Sequence, residues 1–298
     1  MQHYSPLRYP GGKSKLIPYV LETLKLNQLE GGIYVEPFAG GAAIAWYLLL
    51  NEHVERVYIN DLNLSIHAFW YSVLNQTDEL CRLIFDTPIT MDEWHKQKSI
   101  QENEESSLLD RGFATFFLNR TNRSGIISGG AIGGLQQNGK YKLDCRFNKK
   151  RLVELIIEIA SKREKVCLTG FDGIDFINEF LPLLEDKCLV NIDPPYYVKG
   201  KGLYQNFFEP EDHERLRNSV KYIRQPWIVT YDDTPEINDL YSEFRPTSFG
   251  LRYVAQVKRK GREVFVTSPR VKKCNYKPDV TFKELKKMST SMAVNASC

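Results

Sequence analysis

The chain has 298 residues, 42% of them hydrophobic, and a formal net charge of only +3. That is ample apolar content for one large core, or for one domain carrying a substantial insertion. No run of about 18 apolar residues marks a membrane span, and the first residues lack the basic-then-apolar pattern of a signal peptide. The six cysteines (81, 145, 167, 188, 274, 298) contain no C-x-x-C pair, and the five histidines are scattered. Reduced thiols in a cytoplasmic protein fit this usage; a zinc site or a disulfide framework does not.

The first motif is "LRYPGGKSKL", Leu7 to Leu16, which ends in Gly-Lys-Ser as a nucleotide P-loop does. A P-loop needs another glycine five positions before the Gly-Lys-Ser and a buried strand ahead of it. Leu7 occupies that glycine slot, and the preceding residues carry two prolines and little apolar run. The remaining reading is a glycine turn leading into the helix of "SKLIPYVLETL", with Ser14 as its N-cap.

Next, "GIYVEPF" predicts a buried strand and "GGAAIAWYLLLN" a helix; "RVYIND" predicts a second strand, followed by the helical "LSIHAFWYSVLN". Later come "KVCLTGF", "KCLVNIDPPY" and "PWIVTYDD", each a strand running into a turn or helix. Strands alternating with helices imply βαβ units and a parallel sheet. "FRPTSFGLRYVAQV" and "GREVFVTS" predict a closing antiparallel pair joined through "KRKG".

Between about Ser65 and Lys162 only helical patterns occur, among them the charged "MDEWHKQKSIQENEESSLLD" and the apolar "GFATFFLN". They lead to a long loop, "RTNRSGIISGGAIGGLQQNGKYKLDCRFN", rich in Gly, Asn and Arg. Long loops inside compact domains are usually functional. From Arg111 to Lys165 there are twelve bases against four acids, and a second basic cluster runs through Lys258, Arg259, Lys260, Arg262, Arg270, Lys272 and Lys273. Two basic patches on a nearly neutral chain point to a polyanionic partner, although solvated surface accounts for them equally well.

Three motifs carry chemistry. "VEPFAGGAA" ends a strand at Glu36 and opens a helix through Gly40-Gly41, the geometry that brings backbone close to a nucleotide-like cofactor. Twenty residues past Gly41, Asp61 ends the second strand, where a carboxylate accepts hydrogen bonds from ribose hydroxyls. A helix N-cap is its alternative role. "LVNIDPPYY" delivers Asp193, Pro194, Pro195 and Tyr196 to the carboxyl end of the sheet, where open α/β sheets bind ligands. Prolines restrict the backbone and remove N–H donors. They leave rigid carbonyls beside a carboxylate, a set of acceptors suited to an exocyclic amine, with Tyr196 offering a face for a base.

With "RYPGGK", "VEPFAGG", "YINDLN", "FLNRTNRSG", "IDPPYY" and "REVFVTS" in that order, the sequence resembles the D12-class, DNA adenine methylase type of adenine-N6 methyltransferase. The resemblance runs from Pro6 to about Ser268. It implies a Rossmann-like α/β seven-stranded methyltransferase fold, with a core in residues 1–64 and 163–272, a helical target-recognition insertion at 65–162 and a tail at 273–298. It also implies S-adenosylmethionine as methyl donor, no metal, a double-stranded DNA substrate with its adenine flipped out, and a monomeric, cytoplasmic, prokaryotic or phage-encoded enzyme.

Carried over position by position, Tyr9 and Lys13 match the aromatic-x-Gly-Gly-Lys motif at the cofactor, with Tyr9-Pro10 replacing the usual Trp-Ala. Glu36, Phe38, Gly40, Asp61, Phe171, Asp172 and Asp193 fall at cofactor positions. Phe171 serves equally as core, and Asp172 equally as the cap of "GIDFINEFL". Asp193, Pro194, Pro195 and Tyr196 form the catalytic motif. Arg120, Asn122, Arg123, Lys140, Lys142 and Arg146 are the expected DNA contacts, with Arg120 equally able to tie the loop to its helix. Arg123-Ser124-Gly125 stands where the family has aromatic-Asn-Gly, so the target sequence is not legible. The alternatives are a cytosine-N4 or RNA-base methyltransferase, or a DNA-binding member that has lost catalysis.

Overall fold

Five strands run parallel: β1 (Ile33–Glu36), β2 (Arg56–Asn60), β3 (Val166–Thr169), β4 (Cys188–Ile192) and β5 (Trp227–Asp232). Two more, β6 (Thr247–Arg252) and β7 (Lys260–Thr267), form an antiparallel pair, with β7 lying antiparallel against β5. The sheet order in this computed structural model is β3-β2-β1-β4-β5-β7-β6. It describes residues 4–9, 11–198, 207–252 and 260–272. Pro10, Lys258, Arg259, Lys273 and the 273–298 tail lie outside the described residues.

Strands covered on both faces read as continuous apolar runs, and "CLVNI" and "WIVTYD" are buried along their whole length. Successive side chains then sort to opposite faces. Tyr34, Leu189, Ile228 and Phe265 join one apolar cluster, while Val35, Val190, Val229, Val264 and Val266 join the other. The first face is covered by α1 (Ile17–Leu26), α2 (Ala43–Leu50) and the helices between β2 and β3. The second is covered by a distorted helical stretch from Gly173 to Leu183, by α8 (Pro210–Lys221) and by α9 (Pro235–Leu240).

Between β2 and β3 stand α3 (Leu64–Asn75), α4 (Thr77–Asp86), α5 (Met91–Glu102), α6 (Leu108–Thr121) and α7 (Lys149–Ala160). The charged stretch beginning at Met91 is two helices rather than one: α5 ends at Glu102, and Ser107 starts α6 by accepting the Asp110 N–H through its side chain. These helices share a core with the sheet. Phe69, Trp70, Phe116, Phe117 and Phe147 belong to the same cluster as Tyr34, Val57 and Ile59.

Strand order reverses between β1 and β4. From β1 the chain moves outward to β2 and β3, and from β4 it moves the opposite way to β5. The crossovers therefore diverge at the carboxyl ends of β1 and β4, opening a crevice where such folds bind ligands. Register places Val35 opposite Val190, so Glu36, Asn191 and then Asp193 crowd this opening.

Candidate active site

The N-terminal motif is a turn clamped onto the crevice. Gly12 N–H bonds to Tyr9 O at 3.1 Å, and Gly11 takes a φ of +80° that favours glycine. Ser14 lies within a 3-10 turn and makes no capping bond, so the expected N-cap role is not taken. Pro18 instead opens α1, where a missing N–H costs nothing. The Tyr9 ring packs on the second glycine turn. A Cβ on Gly40 would sit 2.6 Å from that ring, and one on Gly41 would sit 3.0 Å from the Tyr9 Cβ. Ala42, the N-cap of α2, itself takes a φ of +46°.

Asp61 braces this turn rather than capping a helix. Its Oδ2 accepts the Gly40 N–H at 2.7 Å and its Oδ1 the Asn63 N–H at 2.9 Å, while Asn63 is the N-cap of α3. Burial pushes the Asp61 carboxyl up to about 6, with the two backbone N–H groups opposing the shift. Its neighbour Asn60, which sequence reasoning passed over, ties three strand tips together. It donates to Pro37 O and Phe171 O at 2.9 Å and accepts from Thr169 Oγ1 and Phe171 N–H. Asp172 accepts the Ile174 and Asp175 N–H groups and so does cap the following helical turn, while also lining the crevice. Phe171 is half exposed and belongs to neither the crevice wall nor the core.

At the tip of β4, both oxygens of Asp193 are held. Thr230 Oγ1 on β5 donates to Oδ1 at 2.7 Å, and Lys13 Nζ donates to Oδ2 at 2.8 Å. Lys13 also donates to Gly11 O and stands 4.7 Å from the Tyr196 ring centroid. That commits the lysine to a carboxylate instead of a phosphate, which disposes of the P-loop reading. Tyr196 is not an open platform for a base: it is buried beneath Lys13, and its hydroxyl donates to Glu263 Oε1 at 2.8 Å. Asp232, opposite Glu263 in the β5–β7 register, accepts the Tyr197 and Val198 N–H groups at 3.0 Å. Thr230, Asp232 and Glu263 thus hold the Asp-Pro-Pro-Tyr segment from behind. In sequence only Thr230 and Asp232, flanking Tyr231 in the otherwise apolar β5, carried a signal; Glu263 follows other polar residues at the start of β7.

Glu36 is buried in the crevice wall and accepts the Tyr34 hydroxyl at 3.0 Å. Desolvation raises its carboxyl to about 8; the Tyr34 bond opposes this and the nearby Asp193 charge adds to it. A carboxyl raised on folding contributes stability that is complete below its ordinary value of 4.5 and is lost as pH climbs through about 8. The melting temperature of the wild type is therefore expected to fall relative to Glu36→Gln between pH 5 and 9. Parallel curves would contradict this assignment.

The end of α6 and the loop after it sort the expected DNA contacts into three placements. Arg123, Lys140, Lys142 and Arg146 are exposed. Asn122 is not available to DNA: it is fully buried, donates to Ile126 O and Ile127 O, and accepts the Trp94 indole N–H at 2.7 Å. Arg120 lines the crevice, and its Nε has no hydrogen-bond partner among the described residues. Burial, with Arg8 and Arg146 nearby, lowers it to about 10. From the second basic cluster, Arg262 pairs with Asp233 at 3.0 Å.

One cavity of about 780 Å³ joins these parts. Its wall includes Tyr9, Lys13, Glu36, Phe38, Asp61, Asp172, Asn191, Asp193 and Pro195 from the sheet side, and Arg8, Arg120, Ser124 and Arg146 from the loop side. Among the described residues, no group of His, Cys, Asp and Glu could hold a metal ion, and no helix is long and apolar enough to cross a membrane.

Several known proteins are similar to this chain over most of its length. A type II methyltransferase, M.MjaIII of Methanocaldococcus jannaschii, is 26% identical over 209 residues, covering 65% of this chain and 70% of its own. M.CviBI, a type II methyltransferase of Paramecium bursaria Chlorella virus NC1A, is 20% identical over 74% of this chain and 80% of its own. The modification methylase StsI of Streptococcus sanguinis is 24% identical over 75% of this chain, which spans only 34% of that longer protein. A crystal structure of protein LPL1258 from Legionella pneumophila overlaps 95% of this chain and 92% of its own at 14% identity, with a TM-score of 0.32, too low to carry weight. The model of the D12 class N6 adenine-specific DNA methyltransferases matches residues 9–257, from the Tyr9 clamp through the Asp193 strand tip and into the strands behind it. With that match spanning most of its length, the chain belongs to the D12 class of adenine-specific DNA methyltransferases.

Proposed function

We propose that the cavity binds S-adenosylmethionine at its sheet side and a flipped adenine of double-stranded DNA at its loop side. The carrying observation is that Asp61 and Asp193 stand on the tips of two strands that open into the same cavity. The donor's shape and chemistry fit what is present. A glycine turn with no room for a Cβ lies beside Asp61 for a ribose, Phe38 and Asp172 serve an adenine ring, and Lys13, Glu36 and Asp193 serve the amino-acid end. When bound, S-adenosylmethionine supplies an electrophilic methyl group on a sulfonium.

The chain's own contribution is positional. Holding nucleophile and electrophile in one geometry replaces a bimolecular encounter. Asp193 and the carbonyl of Pro194 accept the two N–H bonds of adenine N6, which draws the nitrogen lone pair out of the ring and in line with the methyl. Thr230 and Lys13 keep the carboxylate aimed while this happens. Pro194 and Pro195 keep the carbonyls rigid. On the loop side, Arg120, Arg123, Lys140, Lys142 and Arg146 contact DNA. Phosphate contacts fix register, and base contacts carry the sequence preference. The relatives named as type II methyltransferases and as a modification methylase support a modification role for this chain, and the proposal takes it to act as a monomer inside the cell.

Incubation with methyl-labelled S-adenosylmethionine and DNA, followed by digestion to nucleosides, tests the transfer. Label in N6-methyladenine is expected, and label in N4-methylcytosine would relocate the acceptor. Duplexes with 2-aminopurine at the methylated position test flipping: fluorescence rises on binding, and an unchanged signal counts against extrusion. Lys13→Ala is expected to weaken donor binding about tenfold or more, the scale of a lost charged hydrogen bond. ATP is expected to compete with neither wild type nor variant. Donor affinity unchanged in Lys13→Ala would remove this residue from the site.

A further inference from the structure

We propose that Asn119 is a positioning residue that makes the donor clamp and the DNA-recognition loop one mechanical unit, so that donor and DNA bind with reciprocal positive coupling. Asparagine beside arginine in such a loop invites assignment as a base reader. The structure gives Asn119 other work. It lies in the last turn of α6, buried, with its amide fully engaged. Its Oδ1 accepts the Arg8 N–H at 2.7 Å, and its Nδ2 donates to Arg8 O at 2.9 Å and to Gly125 O at 2.8 Å. One side chain therefore satisfies both backbone groups of a residue 111 positions away, as a neighbouring strand would, and ties the loop to the same point.

Two further observations tighten that joint. Gly125 has a φ of +78°, and a Cβ there would lie 2.1 Å from Arg8 O, so the loop backbone touches the clamp backbone with no side chain between. Arg8 Nη1 donates to Asn122 O at 3.1 Å. Asn122 in turn bonds Ile126 O and Ile127 O, so the loop start moves as a body with Arg8. On the other side, Arg8 is followed directly by Tyr9, whose ring rests on the Gly40 turn, and five positions on by Lys13, bonded to Asp193. A ligand that fixes the clamp thereby lowers the ordering cost of the loop, and DNA that fixes the loop does the same for the clamp. Linkage requires the two effects to be equal. This rests on the reading of the cavity's two sides as donor site and DNA site.

The test uses the full chain, S-adenosylhomocysteine as a non-reacting donor analogue, and a duplex that accepts label in the transfer assay. In the wild type the duplex is expected to tighten the analogue by about fivefold or more, and the analogue to tighten the duplex by the same factor. Asn119→Asp keeps the acceptor for Arg8 N–H and loses both donated bonds; in it the factor is expected to fall to near one. Amide exchange of the wild type gives a measure that needs no variant: the analogue alone slows exchange across 119–128, and the duplex alone slows it across 7–16. Wild-type binding of both ligands without coupling, full coupling in Asn119→Asp, or exchange at 119–128 indifferent to the analogue each overturns the inference. A wild type that does not bind the analogue at all overturns the donor-site reading as well, and is distinguished by that single binary titration.

Discussion

Asp193→Ala is expected to lower kcat by about a thousandfold or more while duplex binding stays within a few-fold. Loss of one preorganised hydrogen-bonding partner of a transition state is worth about two to three powers of ten, and here the same side chain organises its neighbours as well. Thr230 and Lys13 both donate to it, so its removal takes their shared acceptor from the strand tip, leaving Lys13 its bond to Gly11 O, close to the Glu36 carboxyl that burial raises to about 8. An exocyclic amine entering that site then meets donors where it needs acceptors. Asp193→Asn keeps the volume and is expected to fail nearly as badly, because an amide presents only one acceptor atom. The DNA contacts expected on the exposed loop arginines and lysines are untouched, which is why binding survives. Single-turnover rates with saturating donor, alongside a duplex titration, measure both quantities. Transfer within tenfold of wild type would falsify the assignment.

Gly40→Val is expected to raise the donor KM by about tenfold or more. Two costs combine. At a φ of +49° a β-branched side chain is a backbone outlier, at about 1–2 kcal/mol. The new Cβ also lies 2.6 Å from the Tyr9 ring, so that ring has to leave the turn. Asp61 loses its geometry as well, because its Oδ2 bond is to the N–H of residue 40 itself. All three effects fall on the donor side of the cavity. The expected signature is a KM change for the donor larger than the KM change for DNA, with the melting temperature moving by only a few degrees. Equal changes in both KM values would mean that the substitution perturbs the fold rather than the donor site.

The strands and their tips were legible because they rest on local patterns. An apolar run such as "CLVNI" ends in an acid and two prolines, and period-two sorting to the two sheet faces needs no knowledge of partners. What stayed hidden depends on contacts between distant segments. Asn122 reads as a DNA contact by residue type, yet Trp94 on α5 takes its carbonyl oxygen inside the core. Tyr196 reads as a stacking face, yet Lys13 lies over the ring and Glu263 holds the hydroxyl. Thr230 and Asn60 are short polar residues inside apolar strands, where a sequence offers no reason to expect bonds to Asp193 or to Phe171. The opening glycine motif falls in between. Its turn was readable, but its contacts, Gly40 on one side and Asp193 on the other, are set by the fold.

The helices between β2 and β3 have no interior of their own. Phe116, Phe117 and Phe147 are packed in the same apolar mass as Tyr34 and Ile59 of the sheet. Such a segment cannot be traded between relatives like a cartridge: a foreign 65–162 would bring aromatic side chains shaped for another sheet, and mismatched packing costs stability at every layer it crosses. On the DNA-contacting role proposed for the loop, retargeting this enzyme to a new DNA sequence is a matter of changing the exposed side chains between Arg123 and Arg146 while keeping the existing helices.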